Sequence, residues 1–368
     1  MNILFWIGYN SPLYDGNTTT GLGGTEVGVI NISKGLSAHG YNVTVAGQCK
    51  NSGLIDGVEW IDIDSFEAKY SQKPNHFDVV VGVNYLHFLK YMDMFNQSPK
   101  LIWFWVHNTE YYKWFNGEEM SQEDCEVYLN RIPTVVTPSQ WAFGRAVKDW
   151  YGSPTRKGEG ISIANGINTH VFKNANVVKD PNKFIWSSAV DRGLSDLLDN
   201  WPRVKKVKPN ATLDIYYPAY SNPHKEGSWY NIDNVLDKIE DLKDLGVTDM
   251  GSVSQDQLHY AMLKASYWMY LTKYEETFCI TALEMMAAGV LPICSNTAAL
   301  RELMFDGIIV ERNDIETMFD IGIQTLGMLN SELKEKAIAS ARRMSDHFSW
   351  SQISRNWYMF IEQRLQKL

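Results

Sequence analysis

Residues 267–294 read Tyr267-Trp-Met-Tyr-Leu271, Thr272-Lys-Tyr-Glu-Glu276, Thr277-Phe-Cys-Ile-Thr-Ala-Leu-Glu284-Met-Met-Ala-Ala-Gly289 and Val290-Leu-Pro-Ile-Cys294. A short apolar run gives way to a polar turn. A longer segment then stops at a glycine, and a second short apolar run follows. Gly289 suits the position after a helix end, where a left-handed backbone is common. The pattern predicts a strand, a helix over 277–289 and a second strand.

The same unit recurs on either side. Apolar runs at 3–7, 42–46, 77–83, 101–107, 134–137 and 162–164 alternate with amphipathic segments such as 26–39. After a stretch rich in Asn, Gly and Pro, further runs occur at 183–188, 211–217 and 307–310. Continuous apolar runs such as Val79-Val-Val81 are expected of strands covered on both faces. Alternation of strand and helix argues for parallel sheets. The chain is therefore read as α/β, with two Rossmann-like domains at 1–173 and 174–345. A closing amphipathic helix within 346–368 is expected to pack back towards the first domain. Ligands of such sheets bind at strand carboxyl ends, so the expected active site lies in a cleft between the domains.

Composition narrows the function. The 368 residues carry 43 acidic and 34 basic side chains, a formal charge of -9. Nucleic-acid binding needs clustered cations, so that class is not expected. One basic run exists, Arg203, Lys205, Lys206 and Lys208, read first as a solvated helix face and second as a contact for an anionic membrane or acceptor. The four cysteines show no paired metal-site spacing, and a reducing, cytoplasmic setting is expected. No stretch approaches the roughly 20 apolar residues of a membrane span; peripheral membrane contact stays open. The triplet Asp62-Ile63-Asp64 lies in a segment read as peripheral and is not taken as a metal site.

Glu276 and Glu284 lie eight residues apart, about 12 Å along a helix. That is the reach of a nucleotide sugar from ribose to hexose. Read by spacing alone, they are equally a favourable first-turn charge and a solvated mid-helix charge. Arg192 follows the strand ending in Ser187-Ser188; its planar fork suits a diphosphate, or it pairs with Asp191. Gly21-Leu-Gly-Gly-Thr-Glu26 opens a long helix and lets a ligand approach the backbone. It lies too far beyond the first strand for a dinucleotide fingerprint. His107 sits at a strand's carboxyl end, where it is a structural hydrogen-bonder or a reaction-centre residue. Of the N-terminal aromatics, Trp103, Phe104 and Trp105 are expected in the core, and Tyr111, Tyr112 and Trp114 at an acceptor site.

The run Glu276 to Ile293 resembles the signature of glycosyltransferase family 4, retaining enzymes of GT-B architecture: Glu, seven residues, Glu, a small-residue helix end and an apolar strand. By that resemblance Glu284 holds the donor ribose, and Glu276 with the amides of Thr277, Phe278 and Cys279 holds the transferred sugar. Arg192, beside Ser188, meets the diphosphate. Gly23 and Gly24 face the donor phosphates, and His107 lies near the donor sugar. The loop 251–258, which includes Val253, lies against the base. The family's usual Lys after the Arg is missing from 193–200, and Lys273 is the candidate substitute. Thr277 and Cys279 stand where glycines are usual. The function so implied is metal-independent, retaining transfer of a hexose-type sugar from a UDP- or GDP-sugar to a carbohydrate or glycoconjugate acceptor. A GT-B epimerase or phosphorylase, or a non-catalytic nucleotide-sugar-binding protein, are the alternatives.

Overall fold

The computed structural model describes residues 1–9, 13–108, 114–115, 118–150, 159–173, 176–216, 232–303 and 307–367. Contacts divide them into two compact units. The first comprises Met1–Thr18, Leu22–Gly166 and Trp350–Leu368; the second comprises Thr19–Gly21 and Ile167–Ser349.

The first unit runs β1 (Asn2–Gly8), α1 (Gly24–Ala38), β2 (Asn42–Gly47), β3 (Gly53–Ile55), β4 (Val58–Asp62), α2 (Ile63–Tyr70), β5 (Val79–Val83), α3 (Phe88–Met94) and β6 (Leu101–Trp105). A short ribbon, β7 (Trp114–Phe115) and β8 (Glu118–Glu119), precedes α4 (Gln122–Asn130), β9 (Thr134–Thr137), α5 (Gln140–Trp150) and β10 (Glu159–Ser162). The main sheet has the order β10-β9-β6-β5-β1-β2-β4-β3. Its pairings are parallel except for β3 against β4. Residues Ile3 to Ile7 and Val79 to Val81 are at most 2% exposed, as helices on both faces require.

Asp62 closes β4 and caps α2, its side chain accepting from Ser65 N at 2.9 Å. Bonds from the Ser65 backbone and hydroxyl and from Ser52 hold its carboxyl down at about 2. The Asp62-Ile63-Asp64 triplet is thus a strand end and a helix start.

The second unit runs α6 (His170–Lys173), β11 (Lys183–Trp186), α7 (Leu194–Val207), β12 (Thr212–Ile215), α8 (Ile232–Asp241), β13 (Val247–Asp249), α9 (Gln255–Lys264), β14 (Tyr267–Tyr270) and α10 (Ile280–Ala287). It continues β15 (Leu291–Asn296), α11 (Leu300–Leu303), β16 (Ile308–Glu311), α12 (Ile315–Met328) and α13 (Ser331–Ser345). Its all-parallel sheet has the order β13-β12-β11-β14-β15-β16. This is the doubly wound dinucleotide-fold order, whose direction of winding reverses between β11 and β14.

The division between units falls at Gly166 and Ile167 rather than near 174. Ile167 N donates to Phe348 O at 2.7 Å, and Phe172 packs edge-on to His259 of α9 at 5.1 Å. These contacts draw 167–173 into the second unit. The last helix, α14 (Trp350–Leu365), belongs to the first unit and packs on α1. Its Trp357 lies 6.0, 5.4 and 4.7 Å, ring to ring, from Phe5, Trp103 and Trp105. Gly35 permits the close approach: a Cβ there would stand 2.2 Å from Ser354 Cβ.

Among the described residues, no helix is long and apolar enough to cross a membrane.

Candidate functional site

In the second unit, the segments leaving β11 and β14 meet at the reversal point. After β11, Trp186 Nε1 donates to Ser188 O at 2.7 Å, pinning the backbone. One 3-10 turn, Val190–Arg192, leads to Gly193 at φ 110, a left-handed position that glycine takes at least cost, and α7 starts there. Arg192 is held on three sides. Its guanidinium carbon lies 3.4 Å from the Tyr274 ring centroid, its Nη1 donates to Asp191 Oδ2 at 2.7 Å, and its Nε stands 4.0 Å from Glu276 Oε1. The Asp191 pair read from sequence therefore exists, and the guanidinium fork has further N–H donors to offer an anion.

Glu276 is fixed just as firmly. Tyr270 OH donates to its Oε1 at 2.6 Å, and its side chain is 17% exposed. Burial pushes its pKa up, while the Tyr270 bond and Arg192 oppose that shift. The loop carrying it is tied to the end of β15. Thr272 N donates to Ser295 Oγ at 3.1 Å, Ser295 Oγ donates to Thr272 O at 2.7 Å, and Ala299 N donates to Glu276 O at 3.1 Å.

Here the structure corrects the expected helix. α10 begins at Ile280, not near Thr277, and Cys279 is its N-cap at φ 77 and ψ 78. Glu276, Thr277 and Phe278 are loop, so a helical rise of about 12 Å does not separate the two glutamates. The helix-terminal amides are those from Ile280 onwards. Cys279 occupies a left-handed conformation costly to a side-chain-bearing residue, at a position where the resembling family has glycine. Phe278 is 3% exposed and packs edge-on to Phe348 at 6.2 Å, so its side chain is core. Thr277 is half-buried in the loop.

Glu284 lies in α10 with Oε1 3.3 Å from His259 Nε2. Val253 is half-buried in the loop before Ser254, which caps α9. Lys273 is exposed, and its charge acts on Asp196 and Asp314. Tyr270, Tyr274 and His259 were not singled out in the sequence. Only the first two carried a signal, as aromatic residues at and just past a strand's carboxyl end.

In the first unit, Gly23 caps α1, and its N donates to Glu26 Oε2 at 2.8 Å. A Cβ at Gly23 would stand 2.7 Å from that oxygen. The glycine therefore admits the buried Glu26 carboxyl, whose pKa burial raises. Gly24 opens α1. At Gly28 a Cβ would lie 3.0 Å from the Trp105 ring and 3.6 Å from His107 Cε1, so α1 rests closely on the end of β6.

His107 follows that strand end, where its N leaves the ladder and donates to Asn84 Oδ1 at 2.8 Å. Its ring lies 4.3 Å from that of Trp105, and burial pushes its pKa down to about 3. The imidazole is neutral at physiological pH. Protonation thus favours the unfolded chain between the ordinary value near 6.5 and about 3. The His107 contribution to stability is full above about pH 6.5 and falls by about 1.4 kcal/mol for each pH unit below it. Urea midpoints measured from pH 7 to pH 4 should fall less steeply for His107→Gln than for wild type.

Of the acceptor candidates, Tyr111 and Tyr112 lie outside the described residues, and the backbone of Trp114 pairs with Glu119 in β7–β8. Trp103, Phe104 and Trp105 are core.

The family described as glycosyl transferases group 1 matches residues 182–327, which hold the Arg192 and Glu276 cluster. The likeness to that family covers residues 182–327, and the fold of the chain is GT-B. The sucrose-phosphate synthase of Thermosynechococcus elongatus superposes on this GT-B chain at TM-score 0.74 and 14% identity, covering 100% of both chains. HepE from Anabaena, in complex with UDP and glucose, does so at 0.69 and 16%, again over 100% of both. In sequence, the chain is 24% identical over 187 residues to a lipopolysaccharide 1,2-N-acetylglucosaminetransferase of Salmonella typhimurium, covering 47% of each. It is 31% identical over 185 residues to a GDP-Man:Man(3)GlcNAc(2)-PP-Dol alpha-1,2-mannosyltransferase of Dictyostelium discoideum, 46% of this chain and 33% of that one. The chain spans less than half the length of the curated relatives it matches.

Proposed function

We propose that the chain is a retaining glycosyltransferase that moves a hexose-type sugar from a UDP- or GDP-sugar to a hydroxyl of a carbohydrate or glycoconjugate acceptor. The carrying observation is the Arg192, Tyr274 and Glu276 cluster at the winding reversal of the second unit. Ligands of doubly wound sheets bind outside the strand carboxyl ends at such a point. Arg192 receives the diphosphate, and the negative charge that grows on the leaving phosphate strengthens its hydrogen bonds in the transition state. Glu276 accepts from hydroxyls of the transferred sugar, and Glu284 from the ribose. His107 and the Gly23–Gly24 loop keep the donor-sugar and phosphate roles the resemblance implies. On this reading the charge is met without a metal.

The anomeric C–O bond to the phosphate breaks, and the acceptor oxygen bonds to the same face of that carbon. The acceptor proton passes to the departing phosphate oxygen. The names of the sequence relatives, which include an N-acetylglucosaminyl- and two mannosyltransferases of glycan chains, support hexose transfer in glycan synthesis.

The test follows UDP- and GDP-sugars with an acceptor panel by proton NMR of the new anomeric signal. Acceptor-dependent release of nucleoside diphosphate with the donor's anomeric configuration kept is expected. An inverted product refutes retention. Conversion of the donor to its epimer without acceptor refutes transfer.

A further inference from the structure

The second unit has another concave site, on the face opposite its strand carboxyl ends. It lies where α7 gives way to β12, at the first residue of β14, and at the turn from α12 to α13. The cavity encloses about 320 Å³, within the roughly 300–1,000 Å³ of small-molecule sites.

Two ammonium groups converge there on one aromatic ring. Lys334 Nζ donates to Tyr267 OH at 3.2 Å and stands 4.4 Å from the ring centroid. Lys208 Nζ lies 5.0 Å from the same centroid. A ring quadrupole attracts cations but carries no net charge. Among the described residues, neither lysine pairs with a carboxylate. The charge of Lys334 also reaches a buried neighbour. Lys179 donates to Leu263 O at 3.1 Å and to Ala265 O at 2.6 Å; burial first, then Arg342 and Lys334, bring its pKa down to about 7. The first turn of α13, starting at Ser331 on the cavity wall, adds backbone N–H donors.

The basic run of the sequence divides here. Arg203 pairs with Glu316 and Asp320, Lys205 donates to Ala211 O at 2.9 Å, and Lys206 is exposed. Lys208 alone of the four lines the cavity. Its place just after α7 complements the helix dipole, but that does not account for Lys334, in the first turns of another helix, facing the same ring. Two cations beside one uncharged ring leave positive charge that an anion can meet.

We propose that this cavity binds a phosphate group, as a phosphomonoester or diphosphate, between Lys208 and Lys334 with Ser331 and the α13 amides at its side. It is distinct from the Arg192 cluster and does not rest on the transferase reading. The phosphate could belong to a free metabolite or to a lipid headgroup, and the experiment separates them.

Titration calorimetry with inorganic pyrophosphate at fixed ionic strength would use wild type, Arg192→Ala and Lys208→Gln/Lys334→Gln. In Arg192→Ala, which weakens the other anion cluster, binding is expected to persist; in the double variant its Kd should rise at least tenfold. Lys334→Arg, which keeps the charge, should bind within a few-fold of wild type and guards against a folding artefact. Pyrophosphate binding that is absent in Arg192→Ala, or equal in the double variant and wild type, overturns the proposal. Cosedimentation with phosphatidylglycerol–phosphatidylcholine vesicles, compared with phosphatidylcholine alone, assigns the source. Retention that needs Lys208 and Lys334 marks a headgroup, and pyrophosphate binding without retention marks a soluble phosphate.

Discussion

Arg192→Ala is expected to lower kcat for sugar transfer roughly 10²–10³-fold, the scale for removing one preorganised donor to a developing negative charge. Three contacts make this side chain preorganised. Tyr274 supports the guanidinium face at 3.4 Å, Asp191 holds one edge at 2.7 Å, and Glu276 stands 4.0 Å from Nε. The charge is therefore placed before the donor arrives, and little reorganisation remains for the reaction step. Arg192→Lys should restore only a small part of the loss. A lysine keeps the charge but offers neither the planar face that rests on Tyr274 nor two parallel N–H donors. Steady-state kinetics on both variants checks this: kcat should fall more than KM rises. A change confined to KM would mean that Arg192 binds donor and transition state alike.

Trp357→Ala is expected to destabilise the first unit by roughly 3–5 kcal/mol, the range for truncating a buried aromatic residue. Trp357 is 0% exposed and touches the rings of Phe5, Trp103 and Trp105, joining the last helix to two strands of the sheet. Among the described residues, its buried indole Nε1 has no hydrogen-bond partner. Trp357→Phe removes that unpaired N–H along with one ring, so its cost should be well under half that of alanine. Urea unfolding followed by far-UV circular dichroism would read the difference. Equal midpoints for Trp357→Ala and wild type would show that α14 adds nothing to the unit.

The architecture was legible because buried parallel strands are continuous apolar runs. Ile3 to Ile7, Val79 to Val83 and Tyr267 to Leu271 announce themselves, and glycines mark the helix ends. Within the two main sheets, the strands β3, β4 and β13 escaped notice. They have three, five and three residues, and in β4 partly buried Glu59 interrupts the apolar pattern. Arg192 was singled out from its place past a strand end, and Glu276 from its eight-residue spacing to Glu284 at an expected helix start. Their geometry was not, because it depends on distant residues. Ser295 and Ala299 hold the loop of Glu276, and a left-handed Cys279 delays the helix to Ile280. Nothing in a cysteine's type announces a positive φ, so the spacing argument gave a helix where the chain makes a loop. His259 was hidden for a different reason. A single histidine inside an amphipathic helix carries no mark of the Glu284 carboxylate that the fold brings to it.

The central claim is that the Arg192 and Glu276 cluster takes the diphosphate of a nucleotide sugar. The most direct test is the thermal midpoint of wild type and Arg192→Ala across a panel of UDP- and GDP-sugars, since a ligand bound to the native state raises stability by mass action. At least one nucleotide sugar should raise the wild-type midpoint by several degrees at saturating concentration, and the rise should disappear in Arg192→Ala. A wild type that responds to none of them, or an Arg192→Ala variant that responds equally, would contradict it.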